Sequence, residues 1–101
     1  MSQHAGSIVV YSPIGAPLSY LGRLVEFNPE SGLLVLQAGL ILRRQEGGMV
    51  EFLKFPHASR ESLVYLSTRD VPGTLVVNPE DETVKRYEDH ALKAYSRLAI
   101  L

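Results

Sequence analysis

The residues that could support catalysis are few and widely spaced. Three histidines, His4, His57 and His90, stand far apart in the sequence and show no metal-ligand spacing. His57, Ser59 and Glu61 occupy alternate positions, and such a short stretch of loop seldom orients a nucleophile toward a base. The chain has no cysteine, which excludes thiolate nucleophiles, thiolate metal sites and disulfides. We therefore expect a protein that is not an enzyme and that uses neither a metal nor a cofactor.

The carboxylates and glycines have simpler interpretations than catalysis. Glu80, Asp81 and Glu82 follow Asn78-Pro79, and acidic residues in this setting are typical of a helix N-terminus. The pair Gly47-Gly48 indicates a hairpin turn, because no phosphate-binding glycine pattern surrounds it.

The overall charge restricts the class of partner. The 101 residues carry 10 basic and 11 acidic side chains, a net charge of −1, whereas a general polyphosphate binder normally has a basic excess. No stretch approaches the roughly 18 apolar residues that span a bilayer, and the first residues lack the features of a signal peptide. We expect a cytoplasmic protein that does not associate with membranes.

The elements that would position any site begin with a hairpin at residues 18–37. Residues 18–28 alternate with a period of two, residues 28–32 (NPESG) have turn chemistry, and residues 33–36 are apolar on both faces. Gly22 in the first arm and Gly39 after the second predict a strongly curved sheet with a bend or bulge.

The remaining elements follow from the same patterns. Strands are predicted near residues 8–11, 40–44, 49–55 and 62–67, and residues 74–77 either extend the last strand or form a short sixth one. Apolar residues from Val84 to Leu98 recur every three or four positions, which predicts a helix at about 79–96.

This pattern predicts a mainly β protein. We expect a small, partly open barrel of five or six strongly bent strands with one C-terminal helix. The expected division is a flexible arm (1–7), a barrel (8–77), and a helix with an apolar tail (78–101). The tail is expected to pack on the barrel or on a neighbouring subunit.

The order of these features resembles the Sm-like family (LSm and Hfq). The resemblance rests on Tyr11 and Gly15 in the first strand and loop, residues 21–24 (LGRL), residues 27–28 (FN) and residues 34–38 (LVLQA). Residues 55–58 (FPHA) lie where Hfq-type proteins have an aromatic-Lys-His-Ala run. The acidic helix at the C-terminus is similar to Sm-like proteins of phage origin. The resemblance covers roughly residues 8–67 and implies an SH3-like or Sm-like barrel.

Membership of this family would imply a closed homo-oligomeric ring of five to seven subunits. Sm-like barrels pair edge strands between neighbours into a continuous sheet, and a short barrel does leave edges that need covering. The predicted contacts of the helix and tail, either with the barrel or between subunits, are made by Tyr87, Tyr95, Leu98 and Ile100.

The resemblance also implies a candidate nucleic-acid site at the pore. The family's pore loops correspond to residues 27–32 and 56–61, and single-stranded RNA is the candidate ligand. The candidate RNA-contacting residues are His57, Arg60, Asn28, Arg43, Arg44 and Lys54. The alternative function is a protein-interaction or assembly module, a ring or barrel that binds no nucleic acid.

Overall fold

A computed structural model describes residues 5–55 and 58–100, and for residues 96–100 it describes the backbone alone. The elements in chain order are β1 (Ile8–Pro13), β2 (Leu18–Asn28), β3 (Leu33–Arg44), a 3-10 turn (Glu46–Gly48), β4 (Val50–Lys54), β5 (Leu63–Ser67), β6 (Gly73–Val76) and α1 (Asp81–Ile100). The predicted fold class is confirmed: the protein is mainly β, with a small, strongly bent six-stranded sheet and a single C-terminal helix.

The sheet is antiparallel throughout and is built around β3. The strand order is β4-β3-β2-β1-β6. β5 also pairs with β3, so β4 and β5 lie along the same side of this strand: β4 opposite residues 40–44 and β5 opposite residues 33–37. Residues 74–77, for which two outcomes were open, contribute to a separate sixth strand that pairs with β1.

The predicted bend is present in the paired region of β2 and β3, near Gly22 and Ala38. Ala38 has a positive φ of 54°, which costs a non-glycine residue energy. The register between the two strands also shifts at two places, once beside Gly22 and once at Val25. A Cβ on Gly22 would lie 3.0 Å from the Leu36 Cβ and 3.2 Å from the Gln37 carbonyl oxygen. Glycine therefore allows the two strands to approach closely at the bend.

Apolar side chains form two clusters on opposite faces of the sheet. The first fills the inside of the curved sheet, with Val9, Tyr11, Leu24, Leu34 and Leu36 all almost fully buried. The second lies between the sheet and α1. β1 contributes to both, because its alternate residues point to opposite faces. The side chains of the second cluster with the lowest exposure are Leu21, Leu40, Ala58, Tyr87 and Tyr95.

The helix begins later and ends later than predicted. It starts at Asp81, and the Val84 amide donates to the Glu80 carbonyl at 3.1 Å, so Glu80 and not Asn78 is the residue before the helix. Val77 packs against the first cluster, which keeps the preceding chain on the barrel. At the other end the helix reaches Ile100 instead of ending near Ser96, because no glycine or proline interrupts residues 96–101. The predicted tail is therefore largely helical.

Candidate functional site

The helix is attached to the bend by two tyrosine hydroxyls. Tyr87 Oη donates to the Ala38 carbonyl at 2.6 Å, and Tyr95 Oη donates to the Gly39 carbonyl at 2.5 Å. Both rings are about 97% buried. Because the chain at Ala38 leaves the regular β conformation, these two carbonyls gain partners from outside the sheet.

Burial controls the acidity of these phenols. Burial, with smaller contributions from the neighbouring Tyr95 and Glu88, raises the pKa of Tyr87 to about 12, and Arg23 opposes this shift. Burial likewise raises the pKa of Tyr95. Both phenols therefore stay protonated at neutral pH, where they can donate the hydrogen bonds described above.

A cleft of about 380 Å³ lies beside this attachment, between α1 and the bend of β3. We call it the α1 cleft. Its apolar surface comes from the helix and the bend, and its polar groups come from β2, β3, α1 and the loop between β4 and β5. Its lining residues include Arg23, Gln37, Ala38, Arg60, Tyr87 and Glu88. A volume of this size is at the small end of the range for ligand sites in proteins.

Two arginines give the α1 cleft its positive charge. Arg23 extends from β2, and Arg60 comes from the loop between β4 and β5. In the described part of the chain, the salt bridges are Arg43–Glu51 and Arg86–Glu82, so neither cleft arginine has a carboxylate within 4.0 Å. Arg23 uses one guanidinium nitrogen to donate to the Gly6 carbonyl at 3.2 Å, which leaves most of its five N–H groups for other acceptors.

A smaller cleft, of about 170 Å³, lies on the opposite side of α1. The His90 ring stacks on the Phe52 ring with centroids 4.2 Å apart, and Lys54 and Lys93 also line this cleft. Lys54 Nζ donates to the carbonyls of Phe55 at 3.3 Å and Ala58 at 3.1 Å. These bonds give Lys54 a local role in holding the loop that follows β4.

The predicted site residues that the structure describes lie apart within the single chain. Asn28 Oδ1 accepts the backbone amides of Glu30 at 2.9 Å and Ser31 at 3.3 Å, which makes Asn28 a turn-forming residue. The groove beside it is also lined by the carboxylates Glu26 and Glu30, an unfavourable setting for a phosphate.

The turn at residues 28–32 and the described part of the second predicted pore loop, residues 58–61, lie at opposite ends of β5. The turn at residues 28–32 contacts the turn after β5, where the Thr68 amide donates to the Gly32 carbonyl at 2.7 Å. Arg60 instead lies before the other end of β5, where Leu63 pairs with Gln37 of β3. The four residue steps along β5 separate these ends by roughly 13 Å. The structure therefore does not bring Asn28 and Arg60 together.

The other predicted residues have separate positions. Arg43 forms a 2.5 Å ion pair with Glu51 on the facing strand, and Arg44 is exposed at the end of β3. Tyr87 and Tyr95 are buried inside one subunit, between helix and sheet. His57 and the side chains of Leu98 and Ile100 lie outside the described residues.

Sequence reasoning missed Arg23 and Tyr65. The available signal for Arg23 was a charged residue directly after Gly22, at the predicted bend. Tyr65 belongs to a strand of apolar residues, yet its side chain is 65% exposed. Nothing in the local alternation distinguished an outward-facing tyrosine from a core one.

Two further searches of the described residues gave negative results. No group of three or more histidine, aspartate or glutamate side chains is arranged to hold a metal ion within that part of the chain. Across the same residues, no helix combines the length and the apolar character that crossing a membrane requires.

No protein-family model matches the sequence, and no curated protein shows significant similarity to it.

Proposed function

We propose that the protein is a non-enzymatic assembly module that forms a closed homo-oligomer through its sheet edges. The observation that carries this proposal is the set of edges left open: in the described part of the chain, no strand pairs with the outer side of β4, β5 or β6. Unpaired edges are ready to add a strand from another chain, and natural proteins usually protect them.

The proposed contact pairs β5 with β6 of a neighbour, and both strands carry exposed apolar side chains. Leu63 and Tyr65 on β5 are 43% and 65% exposed, and Val76 on β6 is 40% exposed. A strand added to either edge would place its side chains beside these residues. Because β5 and β6 are different surfaces, the contact is head-to-tail, and repeated head-to-tail contacts close into a ring when the rotation permits.

The resemblance to Sm-like proteins supports the same arrangement, since their subunits join by edge-strand pairing. Sheet closure by symmetry would also satisfy the backbone groups of both edges in every subunit. No catalytic residue is needed for such a function.

The experiment is a mass measurement by light scattering after size-exclusion chromatography. We expect the wild-type protein to have the mass of a ring, and Leu63→Lys and Val76→Lys each to reduce it to that of a monomer. Both residues lie outside the two core clusters, so lysine should leave the fold intact, as circular dichroism would show. Ile14→Lys is the matched control, because Ile14 is 78% exposed in the β1–β2 turn and belongs to none of the three edge strands.

Two results would count against this proposal. A wild-type monomer at every concentration would remove it. If Val50→Lys on β4 dissociated the oligomer and Leu63→Lys did not, the subunit contact would involve β4 and the proposed β5–β6 contact would be wrong.

Single-stranded RNA binding is the second candidate, and the exposed Tyr65 ring favours it. Bases stack on accessible aromatic side chains, and arginines often assist. The two functions require different exposure of the Tyr65 ring: edge pairing would bury it, whereas base stacking requires it to be accessible.

A further inference from the structure

The α1 cleft combines features of a ligand site that the edge-pairing function does not use. It is concave and holds about 380 Å³. Its surface is partly apolar, from Ala38, Ala91 and the tyrosine rings of the helix attachment. None of these residues belongs to the open edges of β5 or β6.

Its charges converge on one region although they come from different elements. Arg23 and Glu88 both act on the ionisation of Tyr87, in opposite directions, so both charges lie within electrostatic range of this phenol. Arg60 reaches the same cleft from the loop before β5. Two guanidinium groups and one carboxylate leave the cleft with a positive excess.

Neither cleft arginine is neutralised by a carboxylate in the described part of the chain. Arg43 and Arg86 each lie within 2.9 Å of a carboxylate oxygen, whereas in the described residues Arg23 and Arg60 have none within 4.0 Å. Guanidinium groups bind carboxylate and phosphate with paired, charge-assisted hydrogen bonds. Gln37, which also lines the cleft, adds an amide that can donate to the same oxygens.

We propose that the α1 cleft binds a small anionic molecule with an apolar body. Arg23 and Arg60 hold its carboxylate or phosphate group, and the apolar body lies against Ala91 and the tyrosine rings. Glu88, at the same cleft, disfavours a second negative charge on the ligand. This site is independent of whether the subunits form a ring.

The test is a titration of ¹⁵N-labelled full-length protein, followed by amide chemical shifts, with benzoate and phenyl phosphate as probes. We expect saturable shifts at Ala38 and Ala91 with at least one of these probes. The two probes share a phenyl ring, so the tighter one identifies the preferred anionic group. Two anions without a phenyl ring test the contribution of the apolar surface. If phenyl phosphate is the preferred probe, inorganic phosphate should bind at least tenfold more weakly than phenyl phosphate. If benzoate is preferred, acetate should bind at least tenfold more weakly than benzoate.

Charge variants test the arginines. Arg23→Gln and Arg60→Gln should each raise the Kd about five- to tenfold through loss of a charge-assisted hydrogen bond. Glu88→Gln should lower it about two- to threefold, since a repelling carboxylate is removed. Arg44→Gln, which removes an exposed arginine outside the cleft, is the control and should change the Kd less than twofold.

Several results would overturn the assignment. These are the absence of saturable shifts for both probes, equal weakening by Arg44→Gln and Arg60→Gln, or equal affinity for a probe with and without its apolar body. Tighter binding in Glu88→Gln together with weaker binding in both cleft-arginine variants would establish it.

Discussion

Tyr87 and Tyr95 show how two hydroxyl groups can fix the position of a helix. Each donates to a carbonyl at the bend of β3, and each ring fills the space between helix and sheet. A carbonyl that loses such a partner while it stays buried costs the folded state about 1–3 kcal/mol. The attachment therefore depends on oxygen atoms as well as on apolar contact.

Removing one hydroxyl should lower stability without emptying the core. We expect Tyr87→Phe and Tyr95→Phe each to reduce the free energy of unfolding by about 1–3 kcal/mol in urea denaturation at pH 7. Tyr65→Phe is the control, because the exposed Tyr65 side chain has no hydrogen bond among the described contacts, and it should change stability by less than about 0.5 kcal/mol.

The same pair should make the protein sensitive to high pH. The pKa of Tyr87 is near 12 in the folded state and near 10 when the chain is unfolded, so between these values the unfolded state releases more protons. The stabilisation is complete below pH 10 and is lost as the pH rises toward 12. The difference in stability between wild type and Tyr87→Phe should therefore shrink over this interval. A constant difference from pH 9 to pH 12 would contradict the role of the protonated hydroxyl.

At the scale of elements, β6 depends on the absence of a side chain at Gly73. This residue pairs with Pro13 of β1, and a Cβ there would lie 2.4 Å from the Ser12 carbonyl oxygen and 2.8 Å from the Pro13 Cα. Both are backbone atoms, which cannot move without disturbing β1. Only glycine lets the two strands meet at this point.

We expect Gly73→Ala to lower the free energy of unfolding by about 1–3 kcal/mol through overpacking. Hydrogen exchange of the amides in β6 and in the facing half of β1 should become faster, because the β1–β6 pairing loosens. Thr74→Ala, at the exposed neighbouring position, should leave both quantities nearly unchanged. If Gly73→Ala matched this control, close backbone approach would not explain the glycine.

Local patterns predicted most of these elements, and their limits are visible at particular residues. The period of two and the glycines gave the β2–β3 hairpin and its bend near Gly39, because strand alternation and backbone freedom are local properties. Leu21 and Leu24 of β2 are both buried, Leu21 in the cluster that α1 covers and Leu24 in the cluster on the opposite face of the sheet. Burial on both faces depends on the packing of the helix and could not be predicted from β2 alone.

The candidate site was predicted less well, for a related reason. Arg60 was identified, but its neighbours in the α1 cleft come from β2 and from a helix that lies far away in sequence. Asn28 was assigned to a binding loop, yet its side chain is occupied by two amides of its own turn. Which side chains meet across a fold depends on tertiary packing, which periodicity does not encode.

For the molecule as a whole, the net charge of −1 limits the electrostatic contribution to RNA binding. Attraction must come from a few local arginines, so few counterions would be released and the dependence on salt would be shallow. Base stacking would have to supply much of the affinity.

If RNA is bound, fluorescence anisotropy with labelled U-rich or A-rich oligonucleotides should show binding at low salt. For two arginine contacts, the slope of the logarithm of the binding constant against the logarithm of the salt concentration should be about −1.4. Tyr65→Ala and Arg60→Ala should weaken binding by about 1–3 kcal/mol each, whereas Tyr65→Phe keeps a stacking surface and should bind as the wild type does. Absence of binding by a ring-forming protein at low salt would leave assembly as the function.

The position of α1 after all six strands has a consequence during synthesis on the ribosome. Leu21 and Leu40 belong to the cluster that the helix covers, yet Tyr87 and Tyr95 are made long after the hairpin that carries these leucines. Because hairpin pairing is local, the β2–β3 arms can form while the outer face of the sheet is still bare. The nascent chain thus presents an apolar surface until α1 has emerged, a period in which chaperone contact or premature association between chains would be favoured.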